Sequence, residues 1–423
     1  MVWKDNALLV GFFLAVREIK RSNPWTSILI ILIISLTFFN MLFIGGLFLG
    51  IIGGFLGAFQ TNYSGNVLIS PAINKNEISD TDTVISIVKS LPTYRSLSAR
   101  FVTSAILAYN YQNKVRPTDV SESAAGQLVG INPIAEDRTA QLSKAIIAGS
   151  YLTPSDSDEI LVGSTLTQKY ATVRNAGNTV GSRVLVTADI GSRVLLMVNG
   201  IQKEVTIKGI VTTNVPTVDA RIYMVDSTVR QLMGNTSLNA NEIAISLTPR
   251  ASDTDAKNYI IRNLANRNDV LVQTSADTLP AGLSSELQIF SKLDNLIGGI
   301  ALVISSITIF IVIYVNAVTR RKFIGILKGI GISSRAIEIS YVFQALFYAI
   351  GGTILASVLI MGLIVPYYDV HPFNIAGIPG TLAITMSDII PRAILLTVVS
   401  GIFGFIPAWL VTKQNTLDAI LGR

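Results

Sequence analysis

A single histidine, His371, and no cysteine leave this chain of 423 residues with few of the parts that enzymes use. One imidazole and no thiol cannot assemble an HExxH metal site, a Ser-His-Asp triad or a Cys-His pair. Without cysteine there is neither a disulfide framework nor thiolate-bound zinc or iron–sulfur. No GxxxxGK[ST] run occurs, so no loop of backbone amides is available to cradle a nucleotide's phosphates. Residues 60–290 are rich in Asp, Glu, Ser and Lys, yet they hold no compact carboxylate cluster and no nucleophile elbow. We expect no catalytic residue, no metal and no cofactor in this chain. If ATP drives it, a separate subunit binds and hydrolyses that ATP. His371, beside Pro372, reads as structural.

What remains is chemistry of contact. The segment Thr319 to Arg335 carries Arg320, Arg321, Lys322 and Lys328 around Phe323, Ile324, Ile326, Leu327 and Ile330. That apolar spacing is that of an amphipathic helix. Gly329 and Gly331 are placed to end it, and Ser333 or Ser334 to cap the next helix. A short rigid helix at a membrane surface fits a cleft on a partner. A basic loop that only enforces topology is the other reading, and the residues alone leave both open.

The elements that must position this loop are membrane helices. The chain is 50% hydrophobic and only 14% charged, with a mean hydropathy of +0.53, whereas soluble proteins average about 25% charged. The apolar residues crowd into the two ends. A span needs about 20 mostly apolar residues, and four segments qualify: Trp25–Phe59, Leu296–Val318, Ile339–Val365 and Ile389–Val411. Arg392 lies near the start of the last, where its long side chain can reach the interface. The first segment is too long for a signal peptide and reads as an uncleaved anchor.

Lys and Arg in short flanks set orientation. The amino-terminal flank holds Lys4, Arg17, Lys20 and Arg21; the loop between the second and third spans holds Arg320, Arg321, Lys322, Lys328 and Arg335; the tail holds Lys413 and Arg423. The loop from Pro366 to Asp388 has none. Both termini and the 319–338 loop are therefore expected in the cytoplasm of a multi-pass protein of the cell (inner or plasma) membrane. The net charge of +6 belongs to these flanks, so nucleic-acid binding is excluded.

The expected fold is membrane α-helical, with four transmembrane helices and an extracytoplasmic α+β domain between the first and second. Its parts are an N-terminal segment (1–24), a first span and stalk (25–59), the outer domain (60–282), a stalk and second span (283–318), a cytoplasmic coupling loop (319–338), a third span (339–365), an outer loop (366–388), a fourth span (389–411) and a tail (412–423). From Ile28 to Phe59 the first helix would measure about 48 Å, more than the hydrocarbon core of about 30 Å. Leu283, Leu287, Phe290, Leu293, Ile297 and Ile300 form a helical stripe before the second span. The two helices together read as a stalk, or else as a tilted span with an amphipathic lead-in. Gly46, Gly50 and Gly54, with Gly53 and Gly57 offset, have small-xxx-small spacing that lets another helix approach. A dimer face and the ordinary abundance of glycine in such helices are both open.

In the outer domain, strand runs are expected at Asn66–Ser70, Arg100–Tyr109, Glu159–Val162, Arg183–Thr187, Val194–Val198 and Val205–Val211, with an Asn199-Gly200 hairpin. Helices are expected at Thr81–Ser90, Asp137–Ile147, Asp226–Met233 and Asp253–Asn266. Strand Glu242–Leu247, the helix after it and strand Asp269–Gln273 complete a β-α-β run. This suggests an α/β part at about 60–125 and 241–282 interrupted by a β-rich insertion at about 126–240.

The 319–338 loop resembles the signature of MacB/FtsX-type ABC permeases, the family of macrolide exporters and lipoprotein-release permeases. Arg320, Arg321, Ile324, Gly325, Ile326, Leu327, Lys328, Gly331 and Ser333 match it in order, with Phe323 where Glu is usual. Gly401, Gly404, Pro407 and Ala408 resemble the family's G-x-x-P-A ending, and Thr416 to Leu421 its closing motif with Thr in place of Pro. Val129-Gly-Ile-Asn-Pro133, Gly149 and Glu159 to Gly163 resemble the start of its outer domain. The resemblance implies a homo- or heterodimer of permeases in membrane lipid, bound to a cytoplasmic ABC ATPase. Arg320, Arg321, Lys322, Ile324, Gly325, Leu327, Lys328, Gly331 and Ser334 would couple to that ATPase. The implied work is mechanotransmission, moving a hydrophobic, lipoprotein or peptide-like cargo, or else regulating an outer partner without transport. Asn40, Asn316 and Gln344 are too few to line an aqueous path through the spans.

Overall fold

The computed structural model describes residues 7–112, 122–171, 184–213, 215–264, 267–279, 281–375 and 378–413. Lys4, Arg183, Asn266, Arg423 and the motif from Thr416 to Leu421 lie outside these residues. In chain order the elements are α1 (Ala7–Arg21), α2 (Pro24–Phe59), β1 (Val67–Pro71), α3 (Thr81–Lys89), β2 (Tyr94–Tyr109), β3 (Glu122–Ile131), α4 (Pro133–Ala140), β4 (Ile146–Gly149) and β5 (Glu159–Gly163). Then come β6 (Arg193–Val198), β7 (Ile201–Val211), α5 (Pro216–Asp219), β8 (Arg221–Val225), α6 (Asp226–Leu232), β9 (Glu242–Leu247), α7 (Asp253–Asn263) and β10 (Val270–Thr274). The carboxy-terminal part is helical: α8 (Ala281–Thr319), α9 (Arg321–Gly329), α10 (Ser334–Leu359), α11 (Val365–Val370) and α12 (Met386–Thr412). These elements fold as two compact units, one drawn from Met1–Ile52, Ser285–Phe373 and Gly380–Arg423, the other from Gly53–Ser284 and Asn374–Pro379.

The first unit is a helical bundle. Four helical stretches are long and apolar enough to cross a membrane, Pro24–Ser64, Gln288–Thr319, Ser334–Val370 and Met386–Thr412, and each contains one of the segments expected from hydropathy. Ile30, Ile34, Phe38 and Leu42 form an i, i+4 ridge on α2 that packs with Ile309, Ile313 and Ala317 of α8, Tyr341 and Ala345 of α10 and Leu396 and Ala408 of α12. Gly352 receives Ile34, and Gly404 receives Ala345. Asp294 and Arg392 close an ion pair of 2.7 Å, and Arg392 also donates to the Met41 carbonyl at 3.3 Å. Arg392 therefore turns inward to a carboxylate at the bundle's edge, the cheaper arrangement for a charge among apolar helices.

The second unit is a mixed sheet with the strand order β10-β1-β9-β2-β3-β8-β5-β7-β4, to which β6 adds by pairing with β2 and β7. Residues 94–100 of β2 pair with β9, and residues 101–109 with β3. Val84 and Val88 of α3 and Ala256 and Ile260 of α7 cover the β1-β9 part. Asn199 and Gly200 make the tight β6-β7 turn, with φ of 46° and 83° and Val198 opposite Ile201. Only glycine adopts the second of these without strain. Gly200→Val is expected to destabilise this unit by about 1–2 kcal/mol, read as a lower denaturant midpoint, whereas Asn199→Asp should be nearly silent.

Two local expectations differ. The helix expected over Asp137–Ile147 starts earlier: the Asn132 side chain accepts hydrogen bonds from Ile134 and Ala135 N–H at 3.1 Å each, with Pro133 at the first helical position. It stops at Ala140 because Gln141 turns left-handed, and Ile146 already belongs to β4. Of the expected strand Arg183–Thr187, the described residues contribute one bridge, Leu185 to Thr167.

Candidate functional site

The loop singled out by its charge pattern is helix α9, clamped on one side and open on the other. It ends as its glycines require: Gly329 is the last residue, Gly331 takes φ of 94°, and Ser333 caps α10 by accepting from the Ala336 N–H. Ile324, 3% exposed, and Gly325 face the core of the bundle, and Leu327 packs beside them. Phe323, Ile326 and Ile330 leave the opposite edge at 53%, 52% and 71% exposure. At i, i+3 and i+7 they form one apolar stripe.

Three helices brace α9 through polar contacts. Arg320, just before it, donates to Glu18 of α1 at 2.8 Å, and Gln344 of α10 donates to the other Glu18 oxygen at 2.6 Å. Lys328 donates to the Thr412 carbonyl at 2.8 Å, at the end of α12, where a cation meets unpaired carbonyls. Thr412 in turn donates to Glu338 at 2.7 Å. α1 is seated on α10 by Gly11 beside Ile339 and by an edge-on Phe12–Phe343 pair 5.4 Å apart.

Of the residues picked from the sequence, Arg320, Ile324, Gly325, Leu327 and Lys328 are thus engaged within the chain, and Arg321 also has a partner. Lys322 and Gly331 are exposed, and Ser334 opens α10 half-buried. The outward edge is Phe323, Ile326 and Ile330. Phe323, the departure from the family pattern, is part of that edge. Glu18 was not anticipated; its one signal is that it is an acid set between Arg17 and Lys20 in a mostly basic flank.

The glycines of α2 are also used within the chain. A Cβ on Gly46 would overlap Ile384, and one on Gly50 the Thr381 carbonyl, so both let the segment before α12 lie against α2. Gly54 is half-buried, whereas Gly53 and Gly57 have nothing within 4 Å of such a Cβ. His371 stacks on Tyr367 at 4.8 Å and no group of His, Asp or Glu among the described residues could hold a metal.

The sheet unit contains a second polar centre, buried and fully ionic. Arg100 of β2 makes a two-pronged contact with Glu136 of α4, at 2.7 and 2.9 Å, both about 1% exposed. Arg221 of β8 does the same to Glu242 of β9 at 2.6 and 3.0 Å, and Arg100 reaches Glu242 at 3.3 Å. The Tyr63 hydroxyl donates to Glu242 at 3.3 Å, and its ring lies under both guanidiniums, 4.9 Å from Arg221 and 5.8 Å from Arg100. Burial pushes the Glu242 carboxyl up, but the charge and hydrogen bonds of Arg221, then of Arg100, outweigh it and hold the group at about 2. With two Arg and two Glu the centre is neutral overall and its charges satisfy one another. It stitches β2, β8, β9 and α4 together and offers no vacant group for chemistry.

No curated protein sequence matches the chain. Among solved structures, it is similar to the periplasmic region of MacB from Actinobacillus actinomycetemcomitans, with 16% identity and a TM-score of 0.32, over 50% of this chain and 90% of that one. It is also similar to the extracellular domain of the noncanonic ABC-type transporter YknZ from Gram-positive bacteria, with 12% identity and a TM-score of 0.31, over 49% and 99%. In the helical unit, residues 295–416, which hold α9, α10, α11 and α12, match the model of the FtsX-like permease C-terminal family.

Proposed function

We propose that this chain is the permease subunit of an ABC-type machine driven by a separate cytoplasmic ATPase. The observation that carries this reading is α9 within the matched domain: a short helix fixed from behind by Glu18, Gln344 and the end of α12, with Phe323, Ile326 and Ile330 presented outward. In this reading α9 and both termini lie in the cytoplasm and the sheet unit outside, which the basic flanks support. Two permease copies, identical or different, pair in the membrane. Closure of the ATPase then moves α9, and α2 and α8 act as the stalk. Their lengths of 36 and 39 residues exceed a bilayer core, and Phe48 packs on Phe290 at 5.5 Å. The cargo is a hydrophobic, lipoprotein or peptide-like molecule taken from the outer side, and it does not pass through the bundle. Regulation of an outer protein partner without transport is the second reading.

Affinity purification from native membranes in mild detergent, followed by mass spectrometry, tests this. A P-loop ATPase is expected in about equal amount, with retained lipid, peptide or protein separating transport from regulation. Ile326→Asp with Phe323→Asp should lower ATPase recovery at least about thirtyfold, as loss of interface hot spots does, while membrane insertion is unchanged. Absence of any ATPase under several mild conditions sinks the reading. Because the chain has no cysteine, single introduced cysteines at Lys322 and Lys203 read the two sides of the membrane without background.

A further inference from the structure

We propose that the recess between α1, α9 and α10 binds one anionic membrane phospholipid. On α1 the recess is lined by Leu14, Arg17 and Arg21, which share one face at i, i+3 and i+7, and on α9 by Phe323 and Leu327. Arg320 also lines it, but Glu18 takes up that charge. Arg17 and Arg21 are exposed, and neither has an ion-pair or hydrogen-bond partner among the described residues. The recess therefore carries two guanidiniums without a protein partner among the described residues, the groups best suited to grip a phosphate oxygen pair.

An independent observation lies at its floor. Ser340 of α10 lines the recess, is 2% exposed, and its hydroxyl has no hydrogen-bond partner. Serines in apolar helices ordinarily bond the carbonyl one turn back, and Ser306, Ser357 and Ser400 all do so here. Ser340 is the fully buried hydroxyl without a hydrogen-bond partner among the described residues of the spans, and it belongs to the lining of the recess, where a ligand's polar group reaching the floor would satisfy it.

The surroundings favour a lipid over a soluble anion. Leu8, Leu9, Phe12, Phe13 and Val16 of α1 are exposed, an apolar face that belongs in hydrocarbon. Trp25, 76% exposed at the start of α2, marks the headgroup level beside it. A phospholipid with its acyl chains along that face would set its phosphate between Arg17 and Arg21. The inference needs neither the ATPase nor a particular orientation, since both leaflets can supply the lipid.

The test is native mass spectrometry of the purified full chain, with phosphatidylglycerol or phosphatidylcholine as the probe. Wild-type protein is expected to retain one phosphatidylglycerol at least about tenfold more strongly than phosphatidylcholine. Arg17→Gln with Arg21→Gln should erase the preference, Ser340→Ala should weaken it several-fold, and glycerol 3-phosphate should not compete. Melting temperatures in phosphatidylcholine nanodiscs equal to wild type establish that the variants fold. If the double variant does not fold, Ser340→Ala together with Leu14→Trp, which fills the recess, decides. Equal retention of the two lipids, retention unchanged in the variants, or displacement by glycerol 3-phosphate overturns the proposal.

Discussion

Glu242→Ala is expected to lower the melting temperature of the sheet unit by about 10 °C. Among the described residues the carboxylate is the one acid that pairs with both Arg221 and Arg100, and without it Arg221 is a charge 2% exposed with no counter-ion. Removing one partner of a buried pair costs about 3–5 kcal/mol, and each kcal/mol moves the midpoint of a domain of this size by about 2–4 °C. The pH dependence has a definite sign. The folded carboxyl sits at about 2, below its ordinary 4.5, so its contribution is complete above about pH 5 and is lost as pH falls towards 2. Asp156, also held at about 2 through its bond from Lys208, acts in the same direction. Wild type should therefore destabilise more steeply with acid than Glu242→Ala does. Near-ultraviolet circular dichroism melts between pH 7 and 3 measure both effects. A shift under 2 °C, or parallel acid profiles, would mean that the centre is stabilised by packing alone.

Gly50→Leu should deplete the folded bundle, while Gly53→Leu, on the same helix, should not. A side chain at position 50 meets the Thr381 carbonyl, which cannot rotate away as a flexible tip does. Overpacking costs about 1–3 kcal/mol where side chains give, and more against backbone. At position 53 nothing of this chain lies within 4 Å. Monodisperse yield after detergent extraction is expected to fall several-fold for the first variant and to stay near wild type for the second. Equal behaviour of the two would separate α2 from the 381–384 segment in the native protein.

Hydropathy made the bundle legible because each span is set by its own residues: a run long enough to cross, bounded by charge. The caps around α9 were legible for the same reason, since Gly331 and Ser333 act on backbone groups within a few positions. The braces were not. Glu18 meets Arg320 and Gln344 across more than three hundred positions, a pairing set by how α1 lies on α10. The ionic centre escaped notice for a similar cause: Arg100, Glu136, Arg221 and Glu242 each stand alone beside ordinary strand or helix residues. β8 was also missed, since all five residues from Arg221 to Val225 are buried and a strand covered on both faces shows no alternation. Asp137–Ile147 was misjudged because two helix-breaking conformations, at Gln141 and Ile146, outweighed its periodic apolar residues.

The sixteen residues of β2 serve both parts of the sheet, pairing with β9 over one half and β3 over the other. The two parts consequently share a beam and have no hinge between them. A twist applied to one must be transmitted as bending of a single hydrogen-bonded strand, stiffest where Arg100 is bolted to two carboxylates. Amide hydrogens near Phe101 and Val102 should then be the last of this unit to exchange. A load entering at β1, β9 or β10 would arrive at β7 as a change of tilt.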